Sequence, residues 1–301
     1  MNGRAIECAR GAGKWFTQEP EKQMAEVYTR KNPYRGPVRA VILDWAGTTV
    51  DYGAFGNIQP FIDGLREHWI EVTPDEVRRH MGLAPWDHLT AILNDEQVLS
   101  RWHDIYGTLP SDFELDRILR STESLAPEAS ARHSDPIPGL LETISALRND
   151  GIKIGSTSSR TFRAMEALRE AARQRGYAPD AAVCSSDVPG GRPTPWMCLR
   201  NAIDLEVYPV EAIVKIGDTV PDIQEGLNAG MWTVGISKTG NYMGMSAEEI
   251  ARADAGEITS RLGRIEKRFL DAGAHFVMDG IWDCPGIIDR INRMLARGEK
   301  P

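Results

Sequence analysis

Six short apolar runs, each closing on small or polar residues, constrain this chain more than any other feature. They are "RAVILDW" (39–45), "IKIGST" (152–157), "AAVCSS" (181–186), "AIVKIGD" (212–218), "WTVGIS" (232–237) and "AHFVMD" (274–279). A run that stays apolar along its length suits a strand covered on both faces, as in a parallel sheet. Amphipathic stretches such as 138–150 and 161–176 lie between the runs. Strands alternating with helices predict βαβ units, and so an α/β protein with a doubly wound, Rossmann-like parallel sheet.

One interval breaks the rhythm. From 54 to 136 no strand-like run occurs, while Ile58, Phe61, Ile62, Leu65 and Trp69 follow helical spacing. Residues 86–93 and 112–125 also read as helices. The expectation is a helical domain over 54–136 inserted directly after the first strand, with the α/β core over 37–53 and 137–301. Residues 1–36 are polar and mixed in charge, which suggests an N-terminal extension.

The bulk properties narrow the function class. A net charge of −8 argues against a general nucleic-acid binder, which needs a basic surface. No apolar run reaches the ~18 residues of a membrane span, and the N-terminus lacks an apolar signal core. Cys8, Cys184, Cys198 and Cys284 form no CxxC pair and read as free thiols. These features lead us to expect a cytoplasmic protein acting on a small molecule, without nucleic-acid or membrane partners.

Ligands of open parallel sheets bind beyond the carboxyl ends of the strands. Here those ends carry Asp44, Ala46 and Thr48; then Thr157, Ser158, Ser159 and Arg160; then Arg192; then Asp218 and Asp222. Two strand-end carboxylates can hold a hard cation such as Mg²⁺. A carboxylate can also attack phosphorus and form an aspartyl-phosphate, while hydroxyls and an Arg cradle the transferring group. A strand-end Asp alone is weak evidence, but this ordered set on successive strands points to phosphoryl transfer.

The set resembles the haloacid dehalogenase superfamily. The segments "AVILDWAGTTVDYG", "MGL–WDH", "GRPTPWMC", "GDTVPDIQEGLNAGMWTVG" and "GAHFVMD" look specifically like the phosphonatase (phosphonoacetaldehyde hydrolase) family, over about Val38 to Ile291. Many superfamily members carry Asp two residues after the nucleophile, whereas phosphonatases carry Ala, as Ala46 does here. The resemblance implies that Asp44 is the nucleophile and that Asp44, the Ala46 carbonyl and Asp218 bind Mg²⁺, supported by Asp222. It assigns phosphoryl binding to Ser158 and Arg192 and a hydrogen bond near the nucleophile to Thr48. It also implies a mobile cap and a homodimer formed through that cap.

The chain departs from the pattern at two places. The family's cap motif places a lysine, the imine-forming electron sink, where this chain has Pro85. No lysine occurs between Lys31 and Lys153, and Lys153 and Lys215 would have to leave buried strands to reach the site. After the phosphoryl-binding hydroxyl the family has Gly-Tyr; here stand Ser159 and Arg160. Arg160 is either a surface residue at a helix start or a cation for a polar group on the substrate. His88, beside Asp87, is either a packing residue or a substrate contact, and Met81 and Trp86 are expected as apolar walls. A site without the lysine and without Asp at position 46 fits a substrate that supplies its own sink: a phosphonate whose carbon leaves as a nitronate or another stabilised carbanion. The alternatives are a phosphonoacetaldehyde hydrolase proper, a small-molecule phosphatase, or a phosphonate-binding protein without turnover.

Overall fold

A computed structural model describes residues 33–301. The expected extension over 1–36, with Cys8, lies outside the described residues except for its last four. Six strands are described: β1 (Ala40–Leu43), β2 (Lys153–Ser158), β3 (Ala181–Cys184), β4 (Ile213–Gly217), β5 (Trp232–Ile236) and β6 (Phe276–Met278). They form one sheet in the order β3-β2-β1-β4-β5-β6, with every pairing parallel. Each strand falls within two residues of its apolar run.

The uninterrupted apolar runs have a simple cause. Val41 and Leu43 point into one core layer, with Ile144 of α6 (Leu140–Asn149), Leu168 of α7 (Phe162–Gln174) and Ile291 of α12 (Cys284–Ala296). Ala40 and Ile42 point into the opposite layer, which contains Ala202 of α8 (Trp196–Asp204). Ile223 of α9 (Val220–Asn228) and Phe269 of α11 (Ala255–Asp271) form a further cluster, and the short α10 (Ala247–Arg252) precedes α11. Each fully buried side chain of this size contributes about 1.5–3 kcal/mol, so both faces of β1 stabilise the fold.

Before α6, five helices follow β1: α1 (Gln59–Arg66), α2 (Pro74–Arg78), α3 (Pro85–Leu93), α4 (Glu96–Tyr106) and α5 (Asp112–Arg132). They gather around their own apolar cluster, which includes Phe61, Leu65, Leu89, Ile92, Trp102 and Ile118. Trp69 does not belong to it. It lies beyond the end of α1 at φ 62° and is 79% exposed, because the helix stops at Arg66 and the chain turns left-handed. α5 runs past the expected 112–125 and through Pro127 to Arg132. A Ser111–Glu114 capping box starts it, and packing on α1 and α7 outweighs the one backbone donor that proline lacks.

The chain enters and leaves these helices along adjacent strands of backbone. Asp51 N donates to the Asp135 carbonyl (3.1 Å), and Ile137 N donates to the Thr49 carbonyl (2.9 Å). Both crossings sit at the carboxyl end of β1, where the connections diverge to β2 on one side and β4 on the other. That switch point is where an open α/β sheet forms its binding crevice.

Candidate active site

Asp44 is the first residue past β1, and its N–H donates to the Ile216 carbonyl of β4 (2.9 Å). The strand register sets it level with Thr157 on one side and Gly217 on the other. Arg192 reaches it from the β3–α8 connection, with Nη2 2.6 Å from Asp44 Oδ1. The same guanidinium lies 3.0 Å from Asp222 Oδ1 and donates through Nε to Glu225 Oε2 (3.0 Å). Lys215 Nζ, inside β4, donates to Thr157 Oγ1 (2.7 Å) and pairs with Asp222 (2.8 Å) and Glu225 (3.2 Å). All of these side chains are buried.

The carboxyl groups of Asp44, Asp222 and Glu225 pair with Arg192 or Lys215, and Asp218 stands beside them with Arg78 and Arg160 acting on it from outside the ion pairs. Burial and the neighbouring Asp44 and Asp222 push the Asp218 carboxyl well up, and burial likewise raises Asp44 despite Arg192. Burial would raise Asp222 too, but Arg192 and Lys215 hold it below the usual carboxylate range. Oxygens of Asp44, Asp218 and Asp222 lie within 4.8 Å of one another, so this crowded oxygen cluster suits a hard divalent cation. Both Asp222 oxygens are already occupied, one by Lys215 and the other by Thr219. Asp44 and Asp218 are thus better placed to offer an oxygen to a metal.

A polar chain links this cluster to the inserted helices. The Asn241 N–H donates to Asp218 Oδ2 (2.7 Å), and Asn241 Nδ2 donates to the Arg78 carbonyl (3.0 Å). Arg78 in turn donates through Nη1 to the Gly53 carbonyl (2.8 Å) and to Asn241 (3.2 Å). The loop after α2 then lies directly on the core. Gly82, at φ 101°, would drive a Cβ into Thr219, and Gly47, at φ 78°, would drive one into the Asp218 carboxylate. Only glycine fits either position.

Two adjoining cavities lie here, and only the smaller is lined by Asp44. The smaller, about 10 Å³, is lined by Asp44, Ala46, Ser158, Arg192 and Asp218. The larger, about 50 Å³, lies under the helices against Phe61, Leu83, Pro85, His88, Glu123 and Ser130. Asn57, Met81, Ser159 and Arg160 line both. Arg160 is buried, so the surface reading fails. Its Nε donates to Ser130 Oγ (3.1 Å), while its Nη2 is buried without a hydrogen-bond partner among the described residues. Burial weakens the guanidinium's hold on its proton, although Asp44 and Asp51 act to restore it.

Several expected residues need correction. Thr48 Oγ1 is buried without a partner among the described residues. Its neighbour Thr49 instead donates to the Asp44 carbonyl (3.0 Å), because the tight turn after β1 brings position 49 back beneath the strand end. His88 lines the larger cavity, but its Nε2 bonds the Val77 carbonyl (2.9 Å), and burial pulls the imidazole down to about 4. It is a neutral wall packed against Phe61, with ring centroids 4.3 Å apart and the rings tilted by 46°. Trp86 lines neither cavity. It follows Pro85 at the start of α3 and is 38% exposed, because the helix turns it to the outer side. Lys153 donates to the Leu205 carbonyl and Lys215 is locked in its ion pairs, so neither lines a cavity. Glu123, Ser130, Asn57, Arg78 and Asn241 were not anticipated. Thr122, Glu123, Ala126 and Ser130 share one face of α5, but nothing in a single sequence says what that face meets.

The comparisons identify the family and agree with the fold. A haloacid dehalogenase-like hydrolase family model matches residues 38–230. A phosphonoacetaldehyde hydrolase-like protein of Syntrophobacter fumaroxidans is 52% identical over 276 residues, which is 92% of this chain and 100% of that protein. A phosphonoacetaldehyde hydrolase of the same organism is 49% identical over 276 residues, with the same coverage. The crystal structure of a phosphonoacetaldehyde hydrolase-like protein from Oleispira antarctica matches with a TM-score of 0.88 at 37% identity, covering 91% of this chain and 99% of that one. The chain belongs to the haloacid dehalogenase-like hydrolases and, within them, to the phosphonoacetaldehyde hydrolase-like proteins.

Proposed function

We propose that the protein is a Mg²⁺-dependent hydrolase of an activated phosphonate, cleaving its C–P bond without an imine. The observation that carries this reading is Arg160: a buried cation with an unpartnered N–H group, shared between the Asp44 cavity and a chamber that no lysine lines. Asp44 attacks phosphorus while Arg192 and Ser158 hold the phosphoryl oxygens. Asp44, Asp218 and the Ala46 carbonyl would hold Mg²⁺, with Asp222 behind them. The ion would supply charge neutralisation at the phosphoryl oxygens. The C–P electron pair passes to the substrate's own nitro or carbonyl oxygen, which Arg160 receives with a charge-assisted hydrogen bond. Met81, Ser159 and His88 wall the leaving group. Water then hydrolyses the aspartyl-phosphate, releases phosphate and restores Asp44.

Phosphate release from a panel tests this reading: nitromethylphosphonate, β-keto phosphonates, phosphonoacetaldehyde and phosphate monoesters. The first two should turn over fastest. Faster turnover of esters would instead favour a phosphatase, and binding of phosphonates without any release a non-catalytic protein. Borohydride added with phosphonoacetaldehyde should leave the protein unmodified, because there is no imine to trap.

A further inference from the structure

A carbon that leaves phosphorus must finally bond a proton, and the reading above does not say where it comes from. Few groups in the larger cavity can give one. His88 is neutral at pH 7, and its Nε2 is engaged with the Val77 carbonyl. Arg160 does not release its proton in a protein. Thr122 donates to the Ile118 carbonyl, and an alcohol is in any case a weak acid. Pro85 has no side-chain donor, and Ala46 stands where many relatives place a carboxyl group.

The remaining acid is Glu123. It lines the cavity from α5, on the same face as Ala126 and Ser130. Its carboxyl group makes no hydrogen bond or ion pair among the described residues. About 10 Å of helix separate it from Ser130, the residue that holds Arg160, at ~1.5 Å per residue. Arg160 and Glu123 line the same cavity, so a small fragment held there would be faced by both side chains. Burial, aided by Asp116, raises the carboxyl above its ordinary value, which favours the protonated form that a general acid needs.

We propose that Glu123 is the general acid that protonates the leaving carbon. The proposal rests on the C–P-cleaving function above. The C–P pair first moves onto the substituent oxygen; as the C=O or N=O bond re-forms it returns to carbon and takes the Glu123 proton there, and the carboxylate regains a proton from solvent. Asp44 meanwhile carries the phosphoryl group until water removes it.

The test compares two substrates in wild type, Glu123→Gln and Glu123→Asp. A nitronate survives unprotonated, whereas an enolate leaves more readily when carbon is protonated as the bond breaks. Glu123→Gln should lose ~10²–10⁴-fold in kcat on a β-keto phosphonate. Its loss on nitromethylphosphonate should be at least ~10-fold smaller, and the alkaline limb of the β-keto pH profile should vanish. Glu123→Asp should recover part of the loss. Equal losses on both substrates, or none on the β-keto phosphonate, would overturn the role of Glu123 alone. A wild-type protein that releases phosphate from neither substrate would overturn the proposed function and this role together.

Discussion

The two ends of the active-site crevice are built on opposite principles. Around Asp44 charge meets charge: Arg192 contacts three carboxylates, and Lys215 contacts two of the same three. In the chamber beneath the helices the walls are largely apolar, one guanidinium keeps a free N–H group, and one carboxyl stands alone. A paired network of buried ions resists substitution, because losing one member strands the others at a cost of about 3–5 kcal/mol. A chamber with unpaired groups has no such constraint. On the proposed reaction, the sheet would determine what is attacked, while the inserted helices and Arg160, just past β2, would determine what can leave.

The largest test of that division is Asp44→Asn. Phosphate release should fall by ~10³-fold or more for every substrate, whatever its leaving group, since the nucleophile serves them all. Arg160→Met should act mainly on the leaving-group end, because Arg160 lines both cavities but makes no hydrogen bond to Asp44. Loss of one preorganised donor should lower kcat on carbanion leaving groups by ~10²–10³-fold. Inhibition by inorganic phosphate, which reads the Asp44 end, should stay within ~3-fold; a parallel loss there would break the comparison.

Acid should reach the chamber through stability. Burial holds His88 at about 4, against an ordinary 6.5, so the unfolded chain accepts a proton that the folded one refuses. Its contribution is intact above pH 6.5 and is lost as pH falls from 6.5 toward 4, by up to about 3 kcal/mol. Urea midpoints measured across that range should drop in wild type and drop less in His88→Phe. The smallest effect belongs to Trp86→Ala, which should change kcat by no more than ~2-fold, as for other surface positions away from the site.

The sequence revealed these two ends unequally. Strands covered on both faces write their burial into every residue, so all six were readable, and their polar ends exposed Asp44, Arg192, Asp218 and Asp222. The helices α8, α9, α11 and α12 were not singled out, although α9, α11 and α12 are at least as amphipathic as α5 and α6. The chamber was legible mainly through what Pro85 lacks. Arg160 was visible as a residue, but its burial depends on Ser130, thirty positions earlier on another element. Glu123 gave no signal, because its place follows from how α5 lies on α1 and α7. Thr48 and Thr49 were separable only once the turn itself was known.

Gly82 bears on timing. With its loop resting on Thr219, the space beside Asp44 is about 10 Å³, room for roughly one water and not for a phosphonate. On the reaction proposed above, the Gly82 loop would leave Thr219 once to admit substrate and again to release phosphate, so the opening rate of that one contact would set a ceiling on turnover.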